Sequence, residues 1–195
     1  MAGTVYLFGP VTGLTFEKAD AWRKRAKKVL KPYGIKCIDP MRSLKFLKKD
    51  GPISGTGREY KDELAKPAAV VMQNLRAVEK CDIMVGNLQG ATRVSIGSVA
   101  ELSWAFIKQK MVMAMVDEKE GNPHDHMHVN HMIHVKVNTF DALMNAVIKE
   151  LGDPPKHSDK KKLKRALKKS EKKVKRAFKK ELKKAIKKLN KKHRR

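Results

Sequence analysis

Glu101 stands three residues after Ser98 and six after Ser95. Here an apolar run, residues 82–88, gives way to a turn with Gly90 and Gly97 and then to an apolar segment of helix length. Two uses fit that carboxylate. Ser98-x-x-Glu101 matches a capping box, in which the hydroxyl accepts from a helical amide and the carboxylate reaches back to the capping amide. The other use is an anion kept for a site. Val99, Leu102, Trp104, Phe106 and Ile107 make the segment apolar nearly all round, so the carboxylate is expected away from bulk water. Residues 90–97 also bring small side chains, hydroxyls and free amides to a helix N-terminus, a natural place for an anion such as phosphate. From these residues alone both uses stay open.

The elements that would place Glu101 follow from the period of the apolar residues. Residues 4–8 form a β-rich run stopped by Gly9-Pro10. Phe16, Ala19, Trp22, Ala26, Val29 and Leu30 then recur at helical spacing until Pro32 and Gly34. Residues 35–38 make a second strand, ended by Asp39-Pro40. Residues 41–49 suit a short helix, and residues 50–57 are dense in breakers and read as a loop. Residues 58–80 are helical in character with an interruption at Pro67, and Val71, Leu75 and Val78 share one face. Residues 82–88 are apolar on both faces, as in the buried centre of a parallel sheet. A helix over 98–108, a strand over 111–116, a polar His-rich loop, a strand over 134–137 and a helix over 141–151 complete the order. Five strands alternating with helices predict an α/β doubly wound fold with a parallel sheet. Ligands in such folds collect at the carboxyl ends of the strands, where Gly9, Pro10, Asp39, Asn87 and the loop before Glu101 all lie.

Composition divides the chain. Its 195 residues, 41% of them hydrophobic, suffice for one core and a tail. Residues 156–195 hold 22 Lys/Arg and 3 Asp/Glu, a net of +19, leaving only +6 of the chain's +25 to residues 1–155. The expected organisation is a domain over 1–152, a linker over 153–159 and a Lys-rich tail over 160–195. The tail repeats with a period of 11, and Leu163, Leu167, Val174, Phe178, Ala185, Ile186 and Leu189 form a narrow apolar stripe. Such a period suits a long basic helix, frayed or disordered until an anion neutralises it. Its charge predicts binding to polyanions. The absence of Trp and Tyr from it favours nucleic acid over a membrane surface, bound without sequence preference through Lys164, Arg165, Lys175, Arg176 and their neighbours.

Cys37 and Cys81 occupy apolar contexts without metal-ligand spacing and read as buried free thiols of a reducing compartment. Neither a signal-like segment nor a membrane-length apolar run occurs, so a soluble cytoplasmic protein is expected. His124, His126 and His128 alternate, with Asp125, His131 and His134 nearby. The segment opens on Gly121-Asn122-Pro123 and contains no Cys, so it reads as a polar loop, and no metal or cofactor is expected.

Tyr6-Leu-Phe-Gly-Pro10, Asp39-Pro40, Cys81-Asp-Ile-Met-Val-Gly-Asn-Leu88 and Ser95-x-Gly97-Ser98-x-x-Glu101-Leu-x-x-Ala105, in that order, resemble the nucleoside 2-deoxyribosyltransferase family. They equally resemble its relatives, the nucleoside 5′-monophosphate N-glycoside hydrolases. The resemblance covers residues 4–150 and leaves the tail outside; the fold expected is the flavodoxin-like, five-stranded version of the doubly wound sheet. It implies that Glu101 is the nucleophile that attacks the anomeric carbon of a 2-deoxyribose and forms a glycosyl-enzyme ester. It places Tyr6 beside the nucleophile, and it has Gly9 and Pro10 let the backbone approach the sugar, although a strand-ending turn accounts for them equally. Asp39, Asn87, Gly97 and Ser98 join the expected substrate-binding set.

Two positions refine that expectation. Transferases acting on free nucleosides tend to carry Asp at the place of Ser95, whereas the relatives acting on nucleotides carry Ser, so nucleotide use is expected. At the place of Asn74 the family usually carries an Asp that handles the leaving base. An amide hydrogen-bonds a base edge but delivers no proton. Arg93 reads as a solvated loop residue. The resemblance also implies a homo-oligomer whose neighbours complete one another's sites. The expected function is cleavage of the N-glycosidic bond of a 2′-deoxynucleoside 5′-monophosphate, by hydrolysis or by transfer to another base. The alternative is a nucleotide-binding module without turnover, tethered to nucleic acid by its tail.

Overall fold

In the computed structural model, which describes residues 3–49, 51–117 and 121–152, the strands are β1 (Thr4–Phe8), β2 (Lys36–Ile38), β3 (Ile83–Asn87), β4 (Met111–Met115) and β5 (Val135–Val137). They form one parallel sheet in the order β2-β1-β3-β4-β5. This is the flavodoxin-like order, and its switch point falls between β1 and β3. The helices are α1 (Phe16–Leu30), α2 (Pro67–Lys80), α3 (Ile96–Ile107), α4 (Met127–Met132) and α5 (Phe140–Leu151).

Side-chain alternation along β1 separates the two faces of the sheet. Val5 and Leu7 pack with Ala26 and Leu30 of α1 and with Leu143, Met144 and Val147 of α5. Tyr6 and Phe8 point the other way, into a cluster with Ala77 and Val78 of α2 and Leu102 and Ala105 of α3. A third cluster, which includes Phe16, Met41, Leu47, Ile53 and Tyr60, fills the space under the connection between β2 and α2. Phe8 pairs with Gly86 of β3, where a Cβ would lie 2.2 Å from Phe8 Cζ, so the ring requires glycine in its neighbour strand.

Local signals start the helices where they do. Thr15 caps α1 and Thr139 caps α5 with side-chain oxygens, and α2 opens on Pro67, whose missing N–H costs nothing at a first helical position.

The expected fold is present, with local corrections. The helix expected over 41–49 is two 3-10 turns, Pro40–Ser43 and Lys45–Lys49, because Asp39 caps the chain immediately before Pro40. Residues 58–62 are not helical; one 3-10 turn, Glu63–Ala65, precedes α2. Val71 is exposed, and the inward face of α2 is formed by Ala77 and Val78. The His-rich stretch contains α4, capped by the His126 side chain, rather than a loop throughout. Cys81 is buried, Cys37 only partly so, and both are free. No helix among the described residues is long and apolar enough to cross a membrane. The linker over 153–159 and the tail, with Lys164, Arg165, Lys175 and Arg176, lie outside the described residues.

Candidate active site

The largest revision concerns how α3 begins. Ser95, not Ser98, is the capping residue: its backbone is extended and its hydroxyl accepts from the Ser98 amide at 3.3 Å. The helix therefore starts at Ile96, and Glu101 falls in its second turn, too far along to cap it. The capping-box reading of Ser98 and Glu101 is thereby overturned. Ile96, Phe106 and Ile107 are largely exposed, so the apolar composition of α3 is not what buries the carboxylate. Glu101 is 6% exposed because it lies on the side of α3 that meets β1 and α2.

On that side Tyr6 Oη donates to Glu101 Oε1 at 2.6 Å, and Asn74 Nδ2 donates to the same oxygen at 3.1 Å. Three elements thus converge: β1 supplies the phenol, α2 the amide and α3 the carboxylate. Among the described residues Oε2 accepts no hydrogen bond. Burial pushes the Glu101 pKa up to about 7, against the pull of the Tyr6 hydroxyl, the Arg23 charge and the Asn74 amide. The Tyr6 phenol is raised well above its ordinary range, by burial first and then by the neighbouring carboxylate. It therefore stays protonated and remains a donor.

Arg23 was not anticipated. It is wholly buried on α1, where Nη2 donates to the Gly9 carbonyl at 2.8 Å and Nη1 to the Ala19 carbonyl. Its Nε lies 3.8 Å from Asp39 Oδ1 and makes no hydrogen bond. Burial lowers its pKa, opposed by Asp39 and Glu101, and a guanidinium keeps its charge regardless. The sequence does carry a signal for it: residues 16, 19, 23, 26 and 30 alternate by three and four, the spacing of a single helix stripe. Trp22, chosen for its hydrophobicity, sits one position off that stripe and is only half-buried.

The remaining expected residues divide. Gly9 adopts φ +145°, and a Cβ there would lie 2.5 Å from the Asn87 carbonyl oxygen, so the two strand ends meet backbone to backbone at the switch point. Pro10 follows it, half-buried. Ser98 Oγ donates to Ser95 Oγ at 2.9 Å, and Gly97 has open space around it. Asp39 is engaged elsewhere: it caps Met41 at 2.8 Å and pairs with Lys27 as well as Arg23. Asn87 Oδ1 accepts from the Gln89 amide at 3.0 Å. Arg93 is exposed and donates to the Thr12 carbonyl at 3.0 Å, bracing the loop after β1. No three His, Cys, Asp or Glu side chains among the described residues come together to hold a metal ion. Burial raises both cysteines to about 11, which leaves them poor nucleophiles.

A carboxylate held by two donors on one oxygen, buried at the carboxyl end of a parallel sheet, can attack or stabilise an electron-poor carbon. Comparison with known proteins supplies the context. No curated protein matches the chain. Among solved structures, a conserved protein from Enterococcus faecalis V583 is similar in fold, with a TM-score of 0.54 at 15% identity, covering 77% of this chain and 100% of that one. A CMP N-glycosidase from Clostridium botulinum aligns with a TM-score of 0.49 at 14% identity, over 76% of this chain and 99% of that one. DNA processing protein A from Helicobacter pylori aligns with a TM-score of 0.49 at 13% identity, over 77% of this chain and 82% of that one. The family model described as nucleoside 2-deoxyribosyltransferase matches residues 5–147, a span that begins within β1 and holds the other four strands, all five helix starts and Glu101. The chain belongs to the nucleoside 2-deoxyribosyltransferase family.

Proposed function

We propose that this protein cleaves the N-glycosidic bond of a 2′-deoxynucleoside 5′-monophosphate, with Glu101 as nucleophile. The observation that carries the reading is the fixed carboxylate. Tyr6 and Asn74 both address Oε1, which leaves the lone pairs of Oε2 to attack C1′ of the sugar. The C1′–N bond breaks, the base departs with its electron pair and takes up a proton from solvent, and an ester joins Oε2 to C1′. Water, or a second base, then attacks C1′ and releases Glu101. A buried anion suits this chemistry because the sugar carbon gains oxocarbenium character as the bond breaks.

Ser95 supports a nucleotide rather than a free nucleoside. Its oxygen already accepts from the Ser98 amide and hydroxyl, so its own proton is left to donate outward, as a phosphate requires. An Asp at that place would repel the same group. Asn74, fixed on Glu101, orients the nucleophile and cannot protonate the departing base.

The tail adds a second element to the proposal. Its net +19 over residues 156–195 supports sequence-independent binding to nucleic acid, which would keep the catalytic domain near its polymeric source of nucleotides. Assembly into a homo-oligomer is also proposed; the exposed Ile96, Phe106 and Ile107 side chains of α3 support it, and light scattering tests it. The test of the catalytic reading is a chromatographic assay for free base after incubation with each common deoxynucleotide and deoxynucleoside. Release from nucleotides in preference to nucleosides is expected. No release from any of them would overturn the reading.

A further inference from the structure

His124 is buried, only 1% exposed, and none of the chemistry above uses it. Its Nε2 accepts from the backbone N–H of Ser95 at 2.9 Å. That nitrogen therefore carries no proton, and the neutral ring holds its proton on Nδ1, 3.3 Å from the Asn122 amide oxygen. Asn122 is itself fully committed. Its Nδ2 donates to the Leu88 carbonyl at 2.8 Å and to Asp117 Oδ2 at 2.9 Å, and its Oδ1 accepts the His124 amide at 2.9 Å. Asp117 Oδ2 also accepts the Gly90 amide at 2.8 Å. One continuous chain of hydrogen bonds thus starts at the ends of β3 and β4 and finishes on the residue that caps α3.

We infer that His124 is a positioning residue: as a neutral acceptor it fixes the Ser95 amide, and through it the Ser95–Ser98 hydroxyl pair, as the phosphate-recognising edge of the site. The inference rests on the nucleotide reading of Ser95. A backbone amide without its acceptor would let the loop over 90–95 turn, and the Ser95 hydroxyl would lose its direction while Glu101, in the second turn of α3 and tied to Tyr6, kept its own. Burial lowers the His124 pKa, which keeps the ring in the form the bond requires.

Two variants separate positioning from bulk. His124→Leu fills the space without an acceptor, and His124→Gln restores an acceptor near the place of Nε2. The readouts are steady-state kinetics with the four common 2′-deoxynucleoside 5′-monophosphates and their nucleosides, and amide hydrogen exchange over residues 93–98 in the full chain. His124→Leu is expected to raise KM for nucleotides by roughly tenfold with kcat changed by less than about twofold, and His124→Gln to recover most of the loss. KM for nucleosides should not move. Exchange at the Ser95 amide should quicken in His124→Leu and slow again in His124→Gln. Equal behaviour of the two variants, an equal rise in KM for nucleosides, or unchanged exchange would overturn the inference. A wild-type protein that cleaves no nucleotide defeats the nucleotide reading alone, and the Ser95 exchange rates still decide whether His124 holds that amide.

Discussion

Tyr6 and Glu101, 95 residues apart in the chain, meet with 2.6 Å between phenol oxygen and carboxylate oxygen. The contact crosses from β1 to α3, and it opposes the burial that raises the Glu101 pKa to about 7. Tyr6→Phe removes the donor and keeps the ring. The Glu101 pKa should rise further, because a hydrogen bond to the charged form is lost. The acid limb of the pH profile of kcat/KM should move up by about one unit, with a loss of roughly tenfold at pH 6. An unmoved limb would remove Tyr6 from the machinery.

The same pKa makes a statement about stability. Glu101 is near 7 in the folded protein against 4.5 as its ordinary value, so the folded state holds the extra proton between those limits. The neutral carboxyl costs nothing below pH 4.5, and the penalty grows as pH rises from 4.5 to 7, levelling off above that at roughly 3 kcal/mol. Glu101→Gln removes the charge. Chemical denaturation should find the variant similar to wild type near pH 4.5 and more stable at pH 8, with the gap opening between. A pH-independent gap would show that Glu101 is not buried as an anion.

Asn74 donates to Glu101 at 3.1 Å, so Asn74→Asp would set two carboxyls against each other. They cannot both ionise cheaply and should share a proton. That proton supplies the leaving-group acid which the natural residue lacks. The pH profile should become bell-shaped, and kcat should rise by roughly tenfold. An unchanged profile would mean that position 74 faces neither the carboxylate nor the base.

Removing residues 156–195 takes away a net charge of +19. Fluorescence anisotropy with labelled DNA should show the full chain losing roughly 10³ in affinity from about 50 to 200 mM salt, and the truncated chain failing to bind. Base release by the truncated chain should be unchanged. Affinity that survives truncation, or a preference of the full chain for anionic vesicles over DNA, would refute the proposed partner.

The parts of this molecule that depend on local period were legible in the sequence. The succession of strands and helices along the chain, the turn at Gly9-Pro10 and the helix carrying Glu101 follow from apolar spacing and breakers, whereas the flavodoxin-like order of the strands in the sheet came from the family resemblance. The parts that depend on which side of an element faces inward were not. Arg23 does not stand out in the sequence because a charged residue in an amphipathic helix is ordinarily solvated, although its position on the 16-19-23-26-30 stripe marks it as inward. The helix start was misplaced by two serines three residues apart, each a good cap, which no local rule separates. The meeting of Tyr6, Asn74 and Glu101 was suggested only by family resemblance, since nothing in the local sequence brings three distant elements to one point. His124 reads as a polar loop residue in the sequence because its partner, the Ser95 amide, is backbone and leaves no trace in composition.

As the proposed nucleophile, Glu101 becomes covalently joined to the sugar during turnover. Rapid acid quench of the protein turning over a deoxynucleotide, followed by proteolysis and peptide mass spectrometry, measures this directly. The expected product is a peptide containing Glu101 heavier by one deoxyribose 5-phosphate group, absent without substrate and absent in Glu101→Ala, which should also release no base. Base release by Glu101→Ala at the wild-type rate, or a sugar adduct on any other residue, would contradict it.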